Sequence, residues 1–448
     1  MKLFATRASA AAAACENLVP AYWLGRLTSA SSYGSAVLGL AQHLSLGDRL
    51  LIQGRHGAST RAEIIAVRDG VIHAMFFAAI TGVGAGLAAS APIEEWPSGL
   101  MIADDWVGRV VDPLGHPLDG RVEISRGSRP RPVRSSPPEA TRRERLGERV
   151  CLGVRALDLF VTCRHGQRIG LFAGSGVGKS SLLAMLARNG SCDVCVIALV
   201  GERGREVREF LEDELGPNGR AKSVTVVATS DASPLMRREA AYAAMTVAEY
   251  FREAGRKVLL VMDSVTRFCH ALREIALAAG EPPASRGYPP SVFAELPRLL
   301  ERAGPGPQTS APGGQITAFF TVLVEGDDLN EPVADSARGL LDGHVVLDRQ
   351  IAERGRFPAV DVLRSLSRAV PGCNTPSEVQ LTLDARQTLA KYTEIVDLVR
   401  LGAYRSGGDA AADRALAIAP RIDALLRQSR EECPAIAESF QKLELAMQ

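Results

Sequence analysis

Residues 173–180 read Ala173-Gly174-Ser175-Gly176-Val177-Gly178-Lys179-Ser180, with Ser181 directly after. An apolar run (Ile169, Leu171, Phe172) precedes them and a leucine-rich helical stretch (Leu182, Leu183, Met185, Leu186) follows. This is the pattern of a phosphate cradle at a strand-to-helix turn. Glycines let backbone N–H groups wrap phosphate oxygens. Lys179 puts a point charge on the outer phosphates, and Ser180 offers its hydroxyl to Mg²⁺. The core Gly178-Lys179-Ser180 is intact, although Ala173 stands where the first glycine is usual. A nucleotide with Mg²⁺ is the expected ligand. The competing reading is a glycine-rich turn with an incidental lysine.

Other segments add chemistry. The apolar run Val194–Val200 leads into Gly201-Glu202-Arg203-Gly204-Arg205-Glu206. Ligands bind beyond the carboxyl ends of parallel strands, which puts Glu202 beside the cradle. A carboxylate there orients and polarises a water for in-line attack on the terminal phosphate. Arg203 and Arg205 either hold Glu202 or bind phosphate; a solvated salt-bridge cluster after a strand is an equal alternative. A second run, Val258–Met262, ends in Asp263, which suits Mg²⁺ through its water shell. Apolar strands ending in Asp are common, so Asp263 gains its meaning from the cradle. Arg267 begins the next helix and is placed to face the nucleotide. Further on, Phe357 reads as well as a core aromatic, and Arg368 as well as a surface charge.

These residues need a scaffold. From about 150 to 370, strand candidates (Arg168–Phe172, Val194–Val200, Val224–Val227, Val258–Met262, Ile316–Val324, His344–Leu347) alternate with helical patterns such as Met236–Ala254 and Ser264–Ala278. That is the signature of an α/β fold, a mostly parallel sheet covered on both faces. Short apolar stretches between turn residues over 24–95 suit a small β-barrel. Val107 to Gly120 reads as strand and turn. Residues 126–148, rich in Arg, Pro and Ser, read as a linker on the surface. The last stretch is helical, with Leu389, Tyr392, Val396 and Val399 on one face.

Composition narrows the class. The 448 residues allow two or three domains, and 46% apolar with 23% charged residues is ordinary for a globular protein. A net charge of +1 argues against a protein that grips nucleic acid over its whole surface. No segment approaches the ~20 apolar residues that cross a bilayer. Lys2, Arg7 and an alanine run ending at Cys15 faintly resemble a lipoprotein signal, but a short exposed helix is the preferred reading. The eight cysteines are scattered, and Cys192-Asp193-Val194-Cys195 has no second pair to complete a zinc site.

Taken together, residues 105–370 resemble the RecA-type rotary ATPases, and within them the ATPases of type III protein export. The cradle Phe172–Ser180 carries the Ala-Gly-Ser variant of that branch. Gly287-Tyr288-Pro289-Pro290-Ser291-Val292-Phe293 is a second export-type signature. Thr321-Val322-Leu323-Val324-Glu325-Gly326-Asp327-Asp328, followed by Asn330-Glu331-Pro332, is a third. The resemblance implies a RecA-like doubly wound core over 96–370, with 126–148 linker-like. Around it lie an N-terminal partner-binding helix (1–20), a β-barrel domain (21–95) and a C-terminal helical domain (371–448). It implies ATP hydrolysis in a homohexamer. By resemblance, Glu202 is the catalytic carboxylate, and Arg203 and Glu206 contact phosphate and Mg²⁺-bound water. Arg368 is a finger reaching the neighbouring subunit's site, and Phe357 packs on adenine.

The implied partners are a stator-like regulatory protein at the N-terminus, a stalk protein in the ring, export chaperones with their substrates, and the export gate. No nucleic acid is expected. The implied place is the cytoplasmic face of the membrane. Flagellar export is preferred over a virulence-type system. An ATP synthase catalytic subunit is disfavoured because Ala403-Tyr404-Arg405-Ser406-Gly407-Gly408-Asp409 stands where an acidic rotor-facing segment belongs. An RNA translocase would want an aromatic, basic barrel. A catalytically silent scaffold conflicts with Lys179, Glu202 and Asp263.

Overall fold

Alternating apolar residues build the first of two units. The computed structural model describes residues 22–31, 34–78, 81–92, 99–121, 123–307, 314–324, 326 and 328–448; the expected helix over 1–20 lies outside them. Strands β1 (Tyr22–Ala30), β2 (Gly34–Leu38), β3 (Arg49–Gln53), β4 (Ser59–Arg68), β5 (Val71–Phe76) and β6 (Ala88–Pro92) close into a barrel of order β1-β2-β5-β4-β3-β6. Inward positions alternate along each strand, so Leu27, Val37, Leu50, Ile52, Ile64, Ile72 and Phe76 fill the interior. Closure removes exposed sheet edges. Residues 232–236 and 274–282 belong to the same unit, and Ser233 Oγ donates to the Phe77 carbonyl at 2.7 Å.

The second unit is built on a long mixed sheet. Its strands are β7 (Val110–Val111), β10 (Arg168–Ala173), β11 (Val194–Glu202), β12 (Ser223–Thr229), β13 (Lys257–Asp263), β15 (Gln315–Leu323), β16 (Gly343–Leu347) and β17 (Val360–Ser367). Small strands β8 (Arg149–Val150) and β9 (Cys163–Arg164) pair apart, and β14 (Gly304–Pro305) pairs with β15. The order is β17-β16-β10-β15-β13-β11-β12-β7. All neighbours along it are parallel except β17, which runs antiparallel to β16 at the edge. Continuous burial of β11 and β15 reflects cover on both faces, as parallel sheets require.

Helices α1 (Arg155–Phe160), α2 (Lys179–Asn189), α3 (Gly204–Glu209), α4 (Gly216–Ala221), α5 (Pro234–Glu253), α6 (Val265–Ala278), α7 (Pro290–Leu300), α8 (Pro332–Leu340) and α9 (Arg349–Glu353) connect the strands. After α10 (Val370–Cys373), helices α11 (Pro376–Arg400), α12 (Ala410–Leu426) and α13 (Ile436–Met447) end the chain. A single apolar cluster joins Leu182, Leu183 and Leu186 of α2 to Ile422, Leu426, Phe440 and Leu443. The terminal helices therefore share a core with the sheet. No helix among the described residues is long and apolar enough to cross a membrane.

Between Val107 and Gly120 the expected strand and turn are present: Val110–Val111 pairs into the sheet, and Asp112 Oδ1 accepts from the amides of Leu114 and His116 to hold the turn. The segment that becomes β17 was not expected as a strand, because charged residues interrupt its apolar pattern. Polar side chains are tolerated there since only one flank of an edge strand is paired. Residues 126–148 are irregular, but buried polar contacts hold them. Arg302 is 1% exposed; it pairs with Glu249 at 2.6 Å and donates to the Val133 carbonyl at 2.8 Å.

Candidate active site

At the end of β10 the chain turns through Gly174–Gly178 into α2. Gly176 and Gly178 have φ of 78° and 89°, a left-handed conformation that side-chain-bearing residues adopt at a cost. Val177 is buried and pins the loop to the core, while Ser175 is exposed. Lys179 is the first residue of α2, so the amides of Lys179, Ser180 and Ser181 lack partners within the helix. The dipole of α2 adds partial positive charge at the same place.

Register brings the carboxylates to this end. Leu199 of β11 is level with Asp263 of β13, and a bulge between Val200 and Glu202 absorbs one residue, so Glu202 projects beyond Leu199 on the same side of the sheet. Lys179 Nζ lies 2.5 Å from Asp263 Oδ1 and 3.4 Å from Glu202 Oε1. Thr321 Oγ1 of β15 donates to Asp263 Oδ1 at 2.7 Å. Burial pushes the Glu202 carboxyl up to about 7, and the neighbouring Asp263 pushes the same way, against Lys179. Burial alone would lower the Lys179 ammonium, but Asp263 and Glu202 hold it above its ordinary value. A buried carboxylate titrating near neutrality beside a lysine is what proton and water handling at a phosphate needs.

The other expected residues fall into groups. Ser180 is exposed at the mouth of the cradle. Ser181 presents its amide there, but its hydroxyl donates to Glu214 Oε1 at 3.1 Å. Arg203 is not brought to Glu202; it is exposed and pairs with Glu206 at 3.1 Å, just as Arg205 pairs with Glu209. Arg267 packs on Gly201, where an added Cβ would sit 3.1 Å from the arginine Cβ. Its Nε is buried without a hydrogen-bond partner among the described residues. Phe357 is 46% exposed, and a Cβ built on Gly178 would lie 3.4 Å from its ring, so the ring borders the cradle.

Arg368 is placed elsewhere. Ser367 is level with Gly343, which is level with Ile169, and the Arg368 amide donates to the Asp342 carbonyl at 3.0 Å. Ala173 lies four residues further along β10. At ~3.3 Å per residue the separation along the sheet is roughly 13 Å before the loop is counted. Arg368 thus stands at the end of the sheet opposite the cradle of its own chain.

Sequence reasoning missed several neighbours. Arg349 Nη2 donates to the Ser175 carbonyl at 3.1 Å and braces the phosphate loop. Arg364 lies 3.7 Å from Asp348, and both line a small cleft with Ala173 and Gly174. Arg349 and Arg364 carry no local signal. Thr321 opens the third export-type signature, but its bond to Asp263 depends on strand order.

Residues 153–367 match the nucleotide-binding domain of the ATP synthase alpha/beta family, and residues 374–445 match the T3SS EscN ATPase C-terminal domain. The chain is 48% identical over 435 residues to a flagellum-specific ATP synthase of Caulobacter vibrioides, covering 96% of each. It is 44% identical over 414 residues to a type 3 secretion system ATPase of Sinorhizobium fredii, covering 91% of this chain and 88% of the relative. The assembled ATPase EscN of enteropathogenic E. coli superposes with a TM-score of 0.85 at 36% identity, covering 95% of this chain and all of EscN. A nucleotide cradle with its carboxylates, and likeness along nearly the whole length, lead to one conclusion: the chain belongs to the flagellum-specific ATP synthases, the ATPases of flagellar type III export in the rotary ATPase alpha/beta superfamily.

Proposed function

We propose that a homohexameric ring of this chain hydrolyses ATP to energise export of flagellar proteins, releasing them from chaperones at the export gate. The observation that carries the reading is the convergence of Lys179, Glu202 and Asp263 on one glycine-rich turn. Lys179 leaves its carboxylates to reach the outer phosphates, and the free amides of α2 hold phosphate oxygens. Glu202 orients the attacking water and takes its proton. Ser180 would hold Mg²⁺ directly and Asp263 would hold it through its water shell, with Thr321 fixing the carboxylate. One hydroxyl and one carboxylate suit an ion that keeps several waters and takes phosphate oxygens, and no cluster of three protein ligands exists among the described residues. Bound there, Mg²⁺ would supply charge neutralisation at the phosphate oxygens. Phe357 stacks on adenine, and Arg368 stabilises the transferring phosphoryl group in the next subunit.

The partners follow from relatives. EscN has been solved with its central stalk EscO, which supports a stalk protein within this ring. Residues 1–20 meet a stator-like partner, and the terminal helices meet chaperone–substrate complexes at the cytoplasmic face of the membrane.

A carboxyl raised to about 7 is a competent base only above that pH. The expected kcat/KM for ATP therefore falls about tenfold per pH unit below pH 7 and levels off above it, because kcat/KM reports groups of the free enzyme. A profile flat from pH 5.5 to 8 contradicts the role given to Glu202. For the cellular role, a strain lacking this chain is expected to be non-motile and to retain flagellar subunits inside the cell. Normal motility and export in that strain overturn the flagellar assignment.

A further inference from the structure

The loop between α12 and α13 reaches back to the residues that border the phosphate cradle. Gln428, 5% exposed, is its anchor. Its Oε1 accepts from the Arg155 amide at 2.9 Å, and its Nε2 donates to the carbonyls of Gly153 at 2.8 Å and Glu432 at 3.0 Å. With the side chain fixed on three sides, the Gln428 amide donates to the Phe357 carbonyl at 2.9 Å. One residue earlier, buried Arg356 pairs with Asp423 of α12 at 3.3 Å. Two consecutive residues before β17 are therefore tied to α12 and the loop after it. Phe357 itself has an exposed ring against Gly178.

We propose that Gln428 is a positioning residue for the nucleotide base. It seats the backbone that carries Phe357, so the terminal helices set how well the ring meets adenine. The inference rests on the reading of Phe357 given above. It has a definite energetic form. An aromatic stack contributes about 0.5–1.5 kcal/mol beyond its area, so a misplaced ring weakens base-containing ligands by up to about tenfold. Ligands with phosphates and no base do not feel it.

The test uses the full-length protein and compares inhibition of ATP hydrolysis by ADP and by inorganic tripolyphosphate. Gln428→Ala is expected to raise the inhibition constant for ADP severalfold, up to about tenfold, and to leave that for tripolyphosphate unchanged. Asp423→Ala, which changes a half-exposed side chain, is expected to shift ADP alone, by a smaller factor. In a Phe357→Ala background the Gln428→Ala effect on ADP is expected to vanish, because the two act as one unit. Equal losses for both inhibitors, unchanged ADP inhibition in both variants, or additive effects in the double variant overturn the proposal. If Phe357→Ala alone leaves ADP inhibition unchanged, the reading of Phe357 falls, and the proposal with it. If Phe357→Ala weakens ADP while Gln428→Ala and Asp423→Ala do not, only the proposal falls.

Discussion

Glu202→Gln protein is expected to bind ATP as the unchanged protein does and to turn it over about 10²–10⁴-fold more slowly. The substitution keeps shape and hydrogen-bonding reach and removes only the ability to accept a proton. Lys179 retains its contact with Asp263, and the glycine turn does not depend on Glu202, so the cradle survives. Removing one negative charge beside the phosphates does not weaken their binding. Nucleotide affinity by equilibrium titration and turnover by phosphate release are the two readouts. Hydrolysis near the normal rate with Gln at 202 would assign the base elsewhere. Lost binding together with lost turnover would make Glu202 a structural member of the cradle.

Arg368→Ala is expected to cost about 10³–10⁵ in turnover, the scale found for fingers that stabilise phosphoryl transfer in other classes. β17 is antiparallel to its neighbour, so a residue at its carboxyl end lies at the amino ends of the parallel strands. The cradle lies at their carboxyl ends. An arginine so placed reaches phosphate only across an interface. The loss is therefore expected alongside unchanged nucleotide affinity and a lost rise of specific activity with protein concentration. Turnover within twofold of normal would remove Arg368 from the chemistry.

The sequence made some of this legible and hid the rest for physical reasons. Strands buried on both faces announce themselves as apolar runs, and Val194–Val200 and Val258–Met262 lie within β11 and β13. Their carboxyl ends point to Glu202 and Asp263 because parallel sheets collect ligands there. β17 was hidden, since an edge strand with Asp361, Arg364 and Ser365 has no unbroken apolar signal. Thr321, Arg349 and Gln428 were hidden because their partners are distant in sequence; Arg349 and Ser175 are 174 residues apart. Such contacts exist only once strand order is known. Arg203 was left open by the sequence between a hold on Glu202, phosphate binding and a solvated salt-bridge cluster, and helical spacing gives it the last of these, through Glu206 three residues on.

The central claim is that one chain supplies every part of the site, but no single copy holds them all together. Mixing Lys179→Ala and Arg368→Ala proteins tests it most directly. Each variant alone is expected to be nearly inactive, one lacking the cradle charge and the other the finger. Where an Arg368→Ala subunit offers its cradle to a Lys179→Ala neighbour's finger, the site is whole. An equal mixture is expected to recover up to about a quarter of normal turnover, the share of interfaces that random assembly makes intact. Turnover of the mixture no greater than the sum of its parts would contradict a site completed by the neighbouring copy.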